Sequence, residues 1–415
     1  MLNRLPTGRL ERLGRLAALV PKATLALARD RLGDEGRVGE QIADTLGGLK
    51  AGSLKLGQIL AQVADELPPA AQLQLGKVYS EVSGLQIDAV TEVVERSLGR
   101  PLDQLFADFE AQPFAAASIA QVHRARLLDG TEVAVKVRYP GVDAALRRDL
   151  DALGGMVGTV SMGDRVFDAS RYFLELREQT LTELDLRAEA GHAEHLRGAV
   201  LRWPDLVVPR IHPALSSEEI LTMDRMEGPT LHAVCGQLAP EARQDLAERL
   251  TRAVLGPVFS GCLVNADAHP GNFVVQGERL ALLDFGAVIS LPPAEVAGAR
   301  RLFQALLDGT VRPRADLEAA GYEFRMSAPK AQELAQAIVT ALSPPFRGPH
   351  DHAADSVLKR VMVLKQERPL DLMRSRPPVG LLPVLRAMVG LSHALRRMPG
   401  PLDLRPALRA VLATA

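Results

Sequence analysis

The stretch Asn265–Gly286, NADAHPGNFVVQGERLALLDFG, constrains the fold more than any other part of the chain. Asp267 precedes Asn272 by five residues, and a second carboxylate, Asp284, opens an Asp-Phe-Gly triplet. Between them, Phe273-Val274-Val275 and Leu280-Ala281-Leu282-Leu283 are short apolar runs separated by a turn at Gly277, which predicts a hairpin. Such a hairpin puts Asp267 and Asn272 at the mouth of one strand and Asp284 at the mouth of the other. Hard divalent cations take carboxylate and amide oxygens. Two adjoining loops offering those oxygens are a candidate metal clamp, and the rest of the fold must hold them in place.

Protein kinases use these residue types at this spacing. An Asp sits near the attacking group, an Asn on the second metal ion, and a further Asp on Mg²⁺. The upstream chain supplies matching parts. From Pro113 the pattern reads strand, small-residue loop, strand, Asp129-Gly130 turn and strand, ending in Val133-Ala134-Val135-Lys136-Val137. Lys136 is the candidate for the lysine that grips the nucleotide phosphates, and the strand alternation is read as turning it away from Ala134 and Val137. Ala115, Ala116, Ala117 and Ser118 stand where a kinase carries its Gly-rich phosphate loop. An alanine loop is stiffer and approaches phosphate less closely than a glycine loop. Residues 168–198 read as the strongest helix, carrying Glu183-Leu184-Asp185 and Glu189. Asp185 and Glu189 share a helix face, and Glu183 lies about 120° from Glu189, so acids point in two directions. Glu189 is the candidate partner of Lys136.

Further along, Val207-Val208-Pro209 and Ile220–Met226 read as strands. Glu227-Gly228-Pro229 then breaks the chain as a connection between lobes should, and Glu227 is placed with the nucleotide-binding candidates. Residues 68–110 read as helical, as do 240–262, 294–310, 329–342, 353–366 and 379–397. His350, Asp351, His352 and Asp355 fall in a Pro/Gly-rich loop, with a spacing that fits no standard metal site.

A length of 415 residues predicts two or three lobes. With 47% hydrophobic residues but only 4% aromatic, the core should be mainly Leu, Ala and Val. The net charge of −1 gives no nucleic-acid signature, but it is unevenly spread. Residues 1–31 hold seven Lys/Arg against two Asp/Glu, and residues 356–415 hold eleven against three, which leaves an acidic middle. Basic ends suit an anionic surface, membrane lipid ahead of nucleic acid; the same arginines also suit solvated helix faces. Two cysteines, Cys235 and Cys262, make no disulfide framework and predict a reducing, cytoplasmic setting. Arginines interrupt the first residues, so no secretory signal is read, and no apolar run reaches the roughly 18 residues of a spanning helix. Residues 2–31 read as a basic amphipathic helix interrupted near Pro21, suited to a peripheral membrane contact or to packing on the body. Residues 38–64 read as a helix rich in small side chains around Lys55-Leu56-Gly57-Gln58. That stretch fails the phosphate-loop pattern, because Lys55 is followed by Leu56 and no strand precedes it. Lys55 and Gln58 share a helix face and can reach one target.

Taken together, the chain resembles the UbiB family of atypical, protein-kinase-like proteins (the aarF-domain or ADCK group). The resemblance is carried in family order by Lys55-Leu56-Gly57-Gln58, Ala115–Ser118 with Gln121-Val122-His123, and Val133–Val137. It continues through Tyr139-Pro140-Gly141-Val142, Glu183-Leu184-Asp185, Asp267 with Asn272, and Asp284-Phe285-Gly286. The Ser-Leu-Lys-Leu-Gly-Gln-Ile-Leu context points to the coenzyme Q branch. The resemblance implies an α+β, bilobal protein-kinase-like fold: a helical extension with the K-x-G-Q motif over 1–108, an N-lobe over 109–227 and a helical C-lobe over 228–415. It also implies ATP with Mg²⁺ or Mn²⁺, slow ATP hydrolysis, and a role with quinone-biosynthesis enzymes or other lipid metabolism at a membrane. Asp267 would be catalytic, and Asn272 and Asp284 would be metal ligands. Lys55 and Gln58 would be regulatory, with Glu183 or Asp185 as the ion partner of Lys55. A nucleotide-gated pseudokinase module and a small-molecule or lipid phosphotransferase are the alternatives. One departure stands out: Asn265 occupies a position where the family commonly has His. Replacing Ala116 by Gly is expected to raise nucleotide affinity or change the ATP/ADP preference, read by titration with each nucleotide; unchanged affinities would remove the alanines from the nucleotide cover.

Overall fold

The computed structural model describes residues 85–415, apart from 118, 145, 149, 152–176, 179–180, 379 and 414–415. Lys55, Gln58 and Ser118 therefore lie outside the described residues, as do the expected helices over 2–31 and 38–64. The chain divides into two compact units, one of Met1–Ala190 with Ile211–Arg225 and one of Gly191–Arg210 with Met226–Ala415.

The first unit is built on an antiparallel sheet. Its strands are β1 (Phe106–Phe109), β2 (Ala115–Ala116), β3 (Ala120–Leu127), β4 (Glu132–Arg138) and, after a long excursion, β6 (Ile220–Asp224). The order is β1-β3-β4-β6, with β2 paired to β3. Helix α1 (Ile87–Leu98) covers one face. It brings Val90, Val93 and Val94 onto Phe106, Ala125, Leu127, Val133, Val135, Val137 and Ile220. Gly99 ends α1 at φ 69°, a left-handed cap that glycine adopts without strain. Gly130 at φ 90° makes the β3–β4 turn, and Asp129 Oδ1 accepts from Thr131 N at 2.9 Å.

Three sequence expectations are corrected here. Residues 106–109 read as helical but form strand β1, because pairing with β3 outweighs local preference. The helix expected over 168–198 is broken at its acidic motif: residues 183–185 form a turn, and helix α2 runs only from Leu186 to Val200. Asp185 caps α2, its Oδ1 accepting from Arg187 N at 2.9 Å and Ala188 N at 3.4 Å. Finally, a strand repeats every two residues, so Lys136 shares a face with Ala134; the core against α1 takes Val133, Val135 and Val137 from the opposite face.

In the second unit, β5 (Leu206–Val207) lies parallel to β9 (Arg279–Leu282), which pairs antiparallel with β8 (Phe273–Gln276). A separate ladder joins β7 (Leu263–Asn265) to β10 (Val288–Ser290). Helix α3 (Pro240–Gly261) buries Leu246, Leu250, Val254 and Val258 and stops at Cys262, whose φ is 51°. That left-handed stop costs about 1–2 kcal/mol for a residue with a Cβ, and β7 starts immediately after it. The remaining long helices are α4 (Pro293–Asp308), α5 (Ala328–Leu342), α6 (Val357–Glu367), α7 (Leu381–Arg396) and α8 (Arg405–Leu412). Among the described residues, no helix is long and apolar enough to cross a membrane.

The histidine-rich loop before α6 is tied within itself. His350 Nε2 bonds the Asp355 carbonyl at 2.5 Å, Asp355 pairs with Arg360, and the His350 and His352 rings meet edge to face at 4.8 Å. His352 is 3% exposed, and burial first, then His350 beside it, pushes its pKa down to about 4. The unfolded chain therefore takes up this proton at a higher pH than the folded one. The associated stability is complete above the ordinary histidine range and is lost as pH falls from there toward 4. A His352→Leu variant is expected to flatten the stability-versus-pH curve in that window by about one proton, measured by urea unfolding at a series of pH values.

Candidate functional site

Lys136 sits in the middle of β4, a central strand, with Val122 of β3 and Leu221 of β6 as its neighbours in register. Its Nζ donates to both carboxylate oxygens of Glu189, at 2.8 and 2.9 Å. Both side chains are nearly closed to solvent, at 9% and 2% exposure. Glu189 lies in the first turn of α2, where the helix N-terminus favours an acid. Burying two charges is costly, and such a pair contributes little net stability against well-packed apolar side chains. A buried ammonium held on a central strand is thus better explained as a preserved cation than as a fold-stabilising device.

The other acidic candidates separate. Asp185 is committed to the α2 cap, while Glu183 is buried in the turn before it. Arg138 fastens that turn by donating to the Leu184 carbonyl. Ala115 and Ala116 form β2 rather than an open loop, in register with Val122 and Gln121, and Ala117 N donates to Ala120 O at 2.8 Å. The backbone of the alanine stretch is therefore engaged by β3.

Gln121 and His123, on the inner face of β3, form a hydrogen-bonded network that their spacing in the chain does not reveal. Both are fully buried. Gln121 Nε2 lies 2.8 Å from His123 Nε2, and His123 Nδ1 lies 2.8 Å from the Glu110 carbonyl. An amide nitrogen only donates, so His123 accepts at Nε2 and carries its proton on Nδ1. Burial lowers its pKa and keeps it in that neutral form.

In the second unit, one amide ties the two candidate metal loops together. Asn265 Nδ2 donates to the Asp284 carbonyl at 2.7 Å, and Asn265 Oδ1 accepts from Asp267 N at 3.1 Å. Ala266 N donates to Ala287 O at 2.9 Å alongside. Asn272 completes the first loop, its Nδ2 donating to Asp267 O at 3.1 Å and its own carbonyl accepting from Leu283 N at 2.9 Å. With the Asn272 nitrogen so engaged, its side-chain oxygen is the atom it can offer a cation. Asp284 Oδ1 accepts from Gly286 N at 3.0 Å, which fixes the carboxylate over the turn. Phe285 between them is fully buried. A carboxylate and an amide oxygen are hard donors of the kind that Mg²⁺ or Mn²⁺ takes.

Sequence reading missed His192. Its Nδ1 donates to the Phe285 carbonyl at 3.1 Å, and burial lowers its pKa. Glu227 is exposed in the segment that follows β6. The next residue, Gly228, has φ 140° and sits so close to the Val275 carbonyl that a Cβ would collide with it. Val275 N then donates to Pro229 O at 2.9 Å, which pins this segment to β8.

Comparisons with known proteins place the chain in a family and a fold. A family profile described as the ABC1 atypical kinase-like domain matches residues 77–312. A probable protein kinase UbiB from Cellvibrio japonicus is 31% identical over 340 residues, covering 79% of this chain and 61% of that protein. The mitochondrial atypical kinase coq-8 of Caenorhabditis elegans is 30% identical over 303 residues, covering 68% of this chain and 40% of that protein. The chain thus spans roughly half the length of these curated relatives. A Mycobacterium tuberculosis protein solved in complex with erythromycin superposes with a TM-score of 0.65 at 27% identity, over 91% of this chain and 96% of that one.

Removing the Glu189 carboxylate would take a two-bond partner from the buried Lys136 ammonium. Glu189→Ala is expected to cost about 3–5 kcal/mol in stability, whereas a Lys136→Met/Glu189→Leu double variant should recover most of it. Urea unfolding of the two variants beside the parent checks both.

Proposed function

Because the chain belongs to the ABC1 atypical kinase-like (UbiB) family, we propose that it binds ATP with Mg²⁺ or Mn²⁺ and hydrolyses it slowly, in support of isoprenoid-quinone or other lipid metabolism at a membrane surface. The observation that carries this reading is the cross-tied set of Asp267, Asn272 and Asp284, whose oxygens suit a metal-bound triphosphate. In this reading Asn272 and Asp284 hold the metal ions, which neutralise charge on the phosphates. Asp267 orients or deprotonates the attacking water. Lys136 holds phosphate oxygens, and Glu189 keeps its ammonium extended and charged.

Ala115–Ser118 cover the nucleotide, and Glu227 meets it from the connection between the lobes. The alanines favour a restrained enzyme: their side chains keep the backbone further from phosphate than glycine would. Lys55 and Gln58 add a second restraint in this reading, with Glu183 or Asp185 as the ion partner. Of these acids, Glu183 suits the role better, since Asp185 already caps α2.

The membrane setting draws on the surface of residues 357–376. Val363, Leu370 and Met373 are exposed there among the exposed basic side chains Lys359, Lys365, Arg374 and Arg376. Apolar and basic groups side by side suit a peripheral contact with anionic lipid. The relatives named UbiB and coq-8 lend the quinone context.

Thermal melting with and without Mg-ATP tests the assignment. The parent should be stabilised by the nucleotide only when the metal is present, and Asp284→Asn should lose most of that shift. Equal shifts in parent and variant would remove Asp284 from the metal site. ATP turnover on anionic vesicles should exceed turnover in buffer.

A further inference from the structure

We infer that Gly390 is a positioning residue for the Asp267 segment, through which helix α7 sets the placement of the Asp267 carboxylate. Helix α7, Leu381–Arg396, lies beyond residues 77–312 matched by the family profile. Glycine in a helix interior is unfavourable relative to alanine, so its presence at 390 needs a physical reason. The reason is a backbone contact. A Cβ on residue 390 would lie 2.6 Å from the Ala268 carbonyl oxygen, 2.8 Å from its carbonyl carbon and 3.2 Å from its Cα. These are main-chain atoms, which cannot swing aside as a flexible side chain would.

Ala268 follows Asp267 directly and is 3% exposed. Three residues along α7, on the same helix face, the His393 ring stacks on His269, with centroids 6.0 Å apart and planes at 25°. One face of α7 therefore meets two successive residues of the loop, immediately after Asp267. Ala387, Leu391, Ala394 and Leu395 are buried and hold the helix in place, which makes α7 a rigid surface for the loop to rest on.

Other restraints on the loop come from Asn265, from the bonds Ala266 N to Ala287 O and Leu283 N to Asn272 O, and from within the loop itself. Asn265 Oδ1 holds Asp267 N, His269 Nδ1 accepts from Gly271 N at 3.1 Å, and Asn272 N donates to His269 O at 2.9 Å. Those bonds set the shape of the 265–272 turn. The α7 contact limits where that shape sits on its helix side, because the helix can pack at this distance only if residue 390 has no side chain. The kinetic part of the inference rests on the ATP-hydrolysis reading. The structural part does not.

The test uses the full chain with Gly390→Ala. Gly198→Ala, in α2, serves as the control, since a Cβ there meets nothing within 4 Å. Hydrogen exchange of peptides spanning 263–276, without nucleotide, should quicken in Gly390→Ala and stay at the parent rate in Gly198→Ala. Steady-state hydrolysis should show kcat reduced by up to about a hundredfold with the KM for ATP little changed, since the displaced group acts on the attacking side. A purely structural defect would instead show as a lower active fraction, with exchange raised throughout the protein. A folded Gly390→Ala with parental exchange over 263–276, or with raised exchange and unaltered kcat, overturns the proposal. Should Gly390→Ala fail to fold, His393→Ala carries the same readouts at smaller size, and its silence in both would also overturn it. If the parent itself neither binds nor hydrolyses ATP, the nucleotide reading fails, and the exchange comparison alone decides the role of Gly390.

Discussion

The candidate site depends on one side-chain amide. Asn265 donates to the Asp284 carbonyl and accepts from the Asp267 amide, so two loops separated by a whole hairpin are held as one body. An amide side chain offers both one donor and one acceptor to these two backbone groups. The carboxamide does so without titrating. Asparagine here therefore makes a cross-tie that does not depend on proton uptake. The hairpin geometry supplies the rest: Leu283 N bonds to Asn272 O, and that bond brings the second loop back to the first.

The Lys136–Glu189 pair follows a different logic. It has good geometry, with both carboxylate oxygens on one ammonium, yet burial makes it a poor source of stability. The fold surrounds it with features that keep it in place. Asp185 starts α2 at a defined residue, Arg138 holds the preceding turn, and the sheet presents Lys136 on the face opposite the α1 core. Each of these has a local cause, and each restricts where Glu189 can stand.

Much of this could be read from the residues. The β8–β9 hairpin was marked by two apolar runs around Gly277, the Lys136 strand by its alternation and the Asp129-Gly130 turn, and the long helices of the second unit by their periodicity. Those features depend on local spacing, which a sequence displays directly. Residues 106–109 carry no strand signal of their own because an edge strand gains its identity from its partner β3. The acidic motif at 183–185 reads as continuous helix because Asp185 serves equally well on a helix face or as a cap; the turn before it is settled by Arg138 and by the packing of Leu184. The bond from His192 to the Phe285 carbonyl joins residues far apart in the chain and leaves no local trace.

By itself the sequence determined the residue types and their order: the Asp–Asn–Asp series, the strand lysine, the helix glutamate and the alanines in place of glycines. Those are properties of spacing and chemistry, and they carry the family resemblance that implies an α+β kinase-like fold. Only the tertiary structure decided which acid meets Lys136, which acid is consumed as a helix cap, and why residue 390 is glycine. The physical reason is the same in each case. Burial, backbone approach and hydrogen-bond partnership are relations between distant segments, and they exist only once the chain has packed.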